Sequence, residues 1–213
     1  MVFRILFYAV VIVLLLILVW GVLLKIVVKW YSFPIPQFMS DLIDNPLRRR
    51  LQPPQETAIR HGIEPGMTVL DVGPGNGRYT IAAARRVGET GEVVAIDIEP
   101  KMIERVRRRA MREGITNIDA RVADVYALPF AEHKFDLIYL ITVIGEIPSP
   151  QRAMQEFHRV LSPSGTLVFS ELLPDPHYPR PRTLQGWAEG ADFKLREKIG
   201  NFFYYTLIFE KNR

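Results

Sequence analysis

One stretch limits the folds open to this chain. An apolar run, Met67 to Val72, leads into three alternating glycines, Gly73, Gly75 and Gly77, and a helical pattern begins at Tyr79. A buried strand that turns through glycine into a helix leaves backbone N–H groups free at the strand's carboxyl end. Glycine suits such a turn because a side chain would bar close approach of a ligand. The stretch reads as the opening βα unit of an open α/β sheet, with a cofactor pocket beside its first strand. The nicotinamide fingerprint Gly-x-Gly-x-x-Gly does not fit. Its third glycine would fall on Arg78 when counted from Gly73, and on Thr80 when counted from Gly75.

The rest of the C-terminal part alternates strand and helix patterns. A helix over Tyr79–Val87 precedes a second buried strand, Val93–Asp97, which ends in an acid. Pro100 opens a helix to Glu113 with Met102, Ile103, Val106 and Ala110 inward and an arginine-rich outer face. Ile118–Val122 is the third strand, followed by Asp124 and Val125, and Lys134–Leu140 is the fourth. A helix over Gln151–Leu161, a turn at Ser162–Gly165 and a fifth strand at Thr166–Ser170 come next. After the proline-rich loop to Pro179, a short helix, Leu184–Glu189, leads to paired strands, Phe193–Lys198 and Phe202–Glu210.

Asp71-x-Gly73-x-Gly75-x-Gly77 resembles motif I of the class I S-adenosylmethionine (SAM) dependent methyltransferases. Asp97, Asp124, the strand Phe135-Asp136-Leu137-Ile138 and Leu161-x-Pro163-x-Gly165 follow in the family's order. The match runs from Gln55 to Arg213 and lies nearest the ubiquinone/menaquinone-biosynthesis type. It implies a Rossmann-like seven-stranded sheet with an antiparallel seventh strand, and SAM as cofactor. By the same resemblance Asp97 accepts hydrogen bonds from the ribose hydroxyls and Asp124 bonds the adenine amino group. The expected cofactor set is Asp71, Gly73, Gly75, Asn76 and Gly77 from the loop, Asp97, Ile98 and Met102 after the second strand, Asp124 and Val125 after the third, and Thr142 after the fourth. Asp136, at a strand entrance, is expected to be structural.

The chain has no cysteine, which removes disulfides, Cys-based zinc sites and thiol nucleophiles, cytosine-C5 methylation among them. No metal site is expected. A net charge of +4 suits either nucleic acid or an anionic membrane. Ile5 to Leu24 carries no charge, and about 20 helical residues span a ~30 Å hydrocarbon core. The run exceeds a signal-peptide core and lacks a small-x-small cleavage site. It therefore reads as a retained transmembrane helix, over a cleaved leader or a buried helix. Lys25, Lys29, Arg48, Arg49, Arg50 and Arg60 follow the span and place the C-terminal domain in the cytoplasm. The expected organisation is an anchor over 1–31, a juxtamembrane segment over 32–54 and a methyltransferase domain over 55–213. The middle segment reads equally as an interfacial lid or as a connector helix packed on the domain.

The loop Ile141–Ile147 should face the methyl group. It lacks the Asp/Asn/Ser-Pro-Pro-aromatic pattern of enzymes that methylate base amino groups, so a nucleic-acid acceptor is disfavoured. Glu146, Glu171, His177, Tyr178 and Tyr204 are the candidates for proton handling near the mouth. The leading expectation is transfer to a lipid or lipophilic acceptor, either a phospholipid amine headgroup or a prenylated quinone precursor, with the bilayer as partner. A soluble or protein acceptor and a non-catalytic SAM-binding membrane protein are the alternatives.

Overall fold

The computed structural model describes residues 52–173 and 175–212, together with scattered positions between Arg4 and Trp20. Those scattered positions are helical, and Phe7, Tyr8, Leu16 and Trp20 among them are exposed. Among the described residues no helix is long and apolar enough to cross a membrane. Much of the expected span over 5–24, and all of 32–51, lies outside the described residues.

From residue 52 the described chain runs α1 (Pro54–Arg60), β1 (Thr68–Val72), α2 (Arg78–Val87), β2 (Glu92–Asp97), α3 (Pro100–Arg112), β3 (Ile118–Val122) and β4 (Phe135–Ile141). A 3₁₀ turn (Ile144–Glu146) follows, then α4 (Pro150–Val160), β5 (Leu161–Leu172), α5 (Pro181–Glu189), β6 (Phe193–Gly200) and β7 (Tyr204–Lys211). The strands form one sheet in the order β3-β2-β1-β4-β5-β7-β6. β1 to β5 pair in parallel, and β7 runs antiparallel to both β5 and β6.

The central strands are apolar on both sides because each side is covered. Leu70, Val72, Ile138, Leu140 and Phe169 pack with Met154 and Phe157 of α4 and Leu184 of α5. Val69, Val93, Leu137 and Val168 pack with Ala58 of α1 and Ala83, Ala84 and Val87 of α2. Ala95 and Ala120 meet Ile103 and Val106 of α3. Strands buried on both faces read as continuous apolar runs, which is why β1, β2 and β4 stand out in the sequence.

One boundary differs from expectation. Ser162–Gly165 is not a turn outside the sheet but part of β5, which already begins at Leu161. Phe135 pairs with Leu161 and Leu137 with Thr166, so the extra residues are absorbed as a register shift beside β4. Gly165 permits this, since a Cβ there would lie 2.9 Å from the Asp136 carbonyl oxygen. Asp136 is structural as expected: its Oδ2 accepts the Thr68 amide at 2.8 Å, tying β4 to the start of β1.

Strand order reverses direction between β2-β1 and β1-β4. In open α/β sheets a ligand crevice forms outside the carboxyl ends of the strands at such a reversal. The glycine loop after β1 and the loop after β4 border that crevice.

Candidate active site

Gly73, Gly75 and Gly77 hold φ of +72°, +55° and +76°, so the loop winds through the left-handed region at every second residue. That conformation costs other L-residues about 1–2 kcal/mol each. A Cβ on Gly73 would lie 2.5 Å from Val143 Cγ2, so the loops after β1 and β4 touch because glycine stands there. A Cβ on Gly75 would meet nothing within 4 Å, so the cradle is open at that point. The Gly73 amide donates to the Ile96 carbonyl at 2.9 Å and fixes the loop beside the end of β2.

Asp71 closes β1 without reaching the open loop. It is buried, and the Thr80 hydroxyl donates to its Oδ2 at 2.6 Å, bolting β1 to α2. Desolvation pushes this carboxyl up to about 7, against the downward pull of that hydrogen bond. Asn76 is also engaged: its Oδ1 accepts the Arg78 amide at 3.2 Å, and its carbonyl accepts Arg109 Nη1 at 3.2 Å. The loop thus offers its backbone more than its side chains.

Asp97 stands at the carboxyl end of β2, half-buried, with Oδ1 accepting the Glu99 amide at 2.9 Å. Burial raises its pKa, and the Glu99 amide opposes that rise. Ile98 beside it is 68% exposed, while Met102 is buried under α3. Asp124 is exposed after β3 and accepts the Tyr126 amide at 2.9 Å, with Val125 half-buried next to it. These residues sit at the carboxyl ends of the adjacent strands β2 and β3. A cradle of bare backbone flanked by a half-buried carboxylate fits an adenosyl ligand.

Thr142 takes φ +55° although it is not glycine. Its amide donates to the Ser170 carbonyl at 2.9 Å, and its hydroxyl donates to the Ile141 carbonyl at 2.7 Å. Such strained backbone concentrates at functional sites. It turns the chain into the 3₁₀ turn that carries Glu146.

Four of the five proton-handling candidates come together across this crevice. Gly145 lies against the His177 backbone so closely that a Cβ there would strike the His177 carbonyl. The 3₁₀ turn and the proline-rich loop are therefore in contact. Asp175 Oδ1 accepts the His177 amide at 2.7 Å and lies 3.9 Å from His177 Nδ1. Glu146 is half-buried; desolvation first, then the charges of Asp175 and Asp97, push it up to about 8. Glu171 is buried at the end of β5, and its charge raises the pKa values of Tyr178 and Tyr205, after desolvation in each case.

Tyr204 does not join this group. Its ring lies 5.3 Å from the Arg60 guanidinium, on the α1 side of the sheet. The neighbouring Tyr205 takes the other face, where its hydroxyl donates to the Pro179 carbonyl at 2.7 Å and its ring meets Tyr178 at 5.4 Å. Strand alternation is the signal that separates the two tyrosines. Sequence reasoning also missed Asp175 and the role of His61. His61 caps the end of α1 and is buried beneath the site. Its Nε2 lies 2.8 Å from Ser170 Oγ, which lies 2.8 Å from Thr206 Oγ1. Desolvation lowers its pKa to about 3, so the ring is neutral. Among the described residues no cluster of His, Asp and Glu could hold a metal ion.

Comparison with known proteins agrees with this geometry. A family model described as a methyltransferase domain matches residues 63–191. The ubiquinone/menaquinone biosynthesis C-methyltransferase UbiE of Hydrogenovibrio crunogenus is 39% identical over 111 residues, 52% of this chain and 44% of that protein. An arsenite methyltransferase of Halobacterium salinarum is 32% identical over 132 residues, 60% of this chain and 34% of that protein. The chain thus spans less than half the length of these relatives. A SAM-dependent methyltransferase from Aquifex aeolicus superposes with a TM-score of 0.77 at 23% identity, covering 83% of this chain and 98% of the other. With the glycine cradle, the seven-stranded order and the family match in agreement, the chain belongs to the SAM-dependent methyltransferases.

Proposed function

We propose that this protein is a membrane-anchored methyltransferase that moves the methyl group of SAM to a lipid or lipophilic acceptor, with its catalytic domain in the cytoplasm. One observation carries the reading. An uncharged run, Ile5 to Leu24, is joined to a methyltransferase domain, and its described positions are helical with exposed apolar side chains. Such a helix needs an apolar surrounding, and a bilayer supplies one. Among the acceptors, a prenylated quinone precursor gains weight from the likeness to UbiE, a protein named for ubiquinone and menaquinone biosynthesis. A phospholipid amine remains the other lipid acceptor.

SAM supplies an already activated methyl group when bound, so the protein mainly orients and desolvates. In this reading the backbone of Gly73 to Gly77 cradles the cofactor, Asp97 holds its ribose and Asp124 its adenine. Thr142 and the 3₁₀ turn shape the wall facing the acceptor. Glu146 is the group best placed to take the acceptor's proton. Its raised pKa makes it a stronger base than an ordinary carboxylate, and Asp175 holds the neighbouring loop in place through the His177 amide.

The test is a reconstituted assay with methyl-labelled SAM and separate vesicle preparations carrying phosphatidylethanolamine or a demethylated prenyl quinone. Label is expected in the lipid fraction of one of them. Label in neither, with turnover on a water-soluble acceptor by a protein lacking residues 1–30, would favour the second reading. In that case the anchor only places an enzyme for a soluble substrate, as the likeness to an arsenite methyltransferase suggests.

A further inference from the structure

The turn between β6 and β7 exposes two adjacent aromatic rings, Phe202 at 59% and Phe203 at 67%. They are displayed by a turn whose backbone is firmly tied. The Asn201 amide donates to the Tyr204 carbonyl at 2.6 Å, and Asn201 Oδ1 accepts the Phe203 amide at 2.9 Å. The Leu173 amide donates to the Phe203 carbonyl at 2.8 Å, and the Tyr178 hydroxyl donates to the Phe202 carbonyl. The rings stand out on a rigid support, where burying them in the core would have been the ordinary use of two phenylalanines.

The position of the turn matters as much as its chemistry. Tyr204 pairs with Leu172, so the turn lies at the carboxyl end of β5, the end that carries Glu171 and the proline-rich loop with His177. Three basic residues stand on the segments that flank it. Arg60 stacks on Tyr204, Arg180 is exposed next to the Pro179 carbonyl that Tyr205 bonds, and Lys198 is exposed on β6. Exposed aromatic rings with the exposed cations Arg180 and Lys198 on flanking segments suit the interfacial zone of an anionic bilayer, where rings enter the headgroup layer and cations meet phosphate.

From this we infer that the Phe202–Phe203 turn is a second membrane contact, seated in the headgroup region of an anionic phospholipid bilayer, which holds the active-site mouth against the lipid surface. The inference rests on the membrane-anchored reading above. The span and the domain are well separated in sequence. About 29 residues (25–53) separate Leu24 from α1, and a chain of that length reaches up to ~100 Å when extended. What the anchor does supply is proximity. A tethered turn meets the bilayer at high effective concentration, so a small aromatic contact is enough to set the orientation.

The absence of native cysteine makes the test direct. Single-cysteine forms of the full chain, Phe203→Cys, Met111→Cys and Val13→Cys, are spin-labelled and reconstituted in vesicles of about two parts phosphatidylcholine to one part phosphatidylglycerol. Power-saturation resonance then compares collisions with oxygen, which favours lipid, against a water-soluble nickel chelate. Met111 is 82% exposed on α3 and serves as the aqueous reference. The oxygen-to-nickel ratio at position 203 is expected to exceed that at 111 several-fold. An aqueous ratio at 203 with a lipid ratio at 13 would overturn the inference and leave the anchor intact. Aqueous ratios at both would overturn both readings, whereas a lipid ratio at 203 alone would remove only the anchor. Dipolar broadening at an aqueous position 203 would assign the turn to a second copy of the chain and equally overturn the inference.

Discussion

The Gly73→Ala substitution probes the coupling between the two loops that frame the crevice. Two costs add. The residue sits at φ +72°, where an alanine costs about 1–2 kcal/mol. Its Cβ would also lie 2.5 Å from Val143 Cγ2 and 2.8 Å from Cγ1, an overpacking of the kind that costs about 1–3 kcal/mol. A loss of roughly 3 kcal/mol corresponds to a fall in Tm of roughly 6–12 °C for a domain of this size. The clash falls on Val143, immediately before the Ile144–Glu146 turn, so relief of the overlap displaces the loop after β4 that borders the crevice. SAM should bind at least about tenfold more weakly, a penalty of ~1.4 kcal/mol. Thermal unfolding and calorimetric titration of the detergent-solubilised chain measure the two effects. Val143→Ala removes both clashing methyl carbons and should restore the overpacking part while leaving the dihedral cost. The cycle should then show a coupling of about 1–2 kcal/mol, well outside the ~0.5 kcal/mol scatter of additive pairs. Strict additivity, or a Gly73→Ala protein with unchanged melting and unchanged affinity, would refute the argument that these loops meet at a required glycine.

Three further outcomes follow from the same geometry. Asp97→Ala should weaken SAM binding by about 2–3 kcal/mol, the size of a hydrogen bond to a charged acceptor, in calorimetric titration with Tm little changed. If Glu146 is the acceptor's base, kcat should rise with pH through about 8, and Glu146→Gln should lower it and flatten the profile. A pH profile unaltered by the substitution would take the role away from Glu146. Two buried groups set opposing pH slopes of stability. His61, lowered to about 3, contributes stability that is present above 6.5 and lost as pH falls towards 3; Asp71, raised to about 7, contributes stability that is present below 3.8 and lost as pH rises towards 7. Relative to the parent, His61→Asn should therefore lose stability with rising pH between about 4 and 6, and Asp71→Asn should gain it, by up to ~1.4 kcal/mol per pH unit in urea unfolding.

What the sequence revealed of this fold depends on how local each feature is. β1, β2 and β4 are buried on both faces, so their composition alone marks them, and glycine or proline marks the helix ends beside them. Asp97 was legible because a strand and its terminal acid are adjacent in the chain. The start of β5 was not, because a Ser-Pro-Ser-Gly stretch carries a turn signal and only pairing with Phe135 and Leu137 of β4 keeps it in the sheet. The acceptor side of the site was harder still. Glu146 and His177 are brought together by a backbone contact at Gly145, thirty-two positions away from His177, and no spacing rule encodes that approach. The raised pKa of Glu146 comes from burial and from carboxylates on two other segments, so a local reading ranks it no higher than Glu171 or Tyr204. Tyr204 and Tyr205 show the limit sharply. Both are tyrosines in one strand at the mouth, and which one faces Glu171 depends on register, which is set by antiparallel pairing with Leu172 and Glu171 of β5. Binding of the cofactor is written in contiguous motif, while choice of the acceptor is written in contacts between loops. For that reason the family can be recognised from sequence, and the acceptor has to be found by assay.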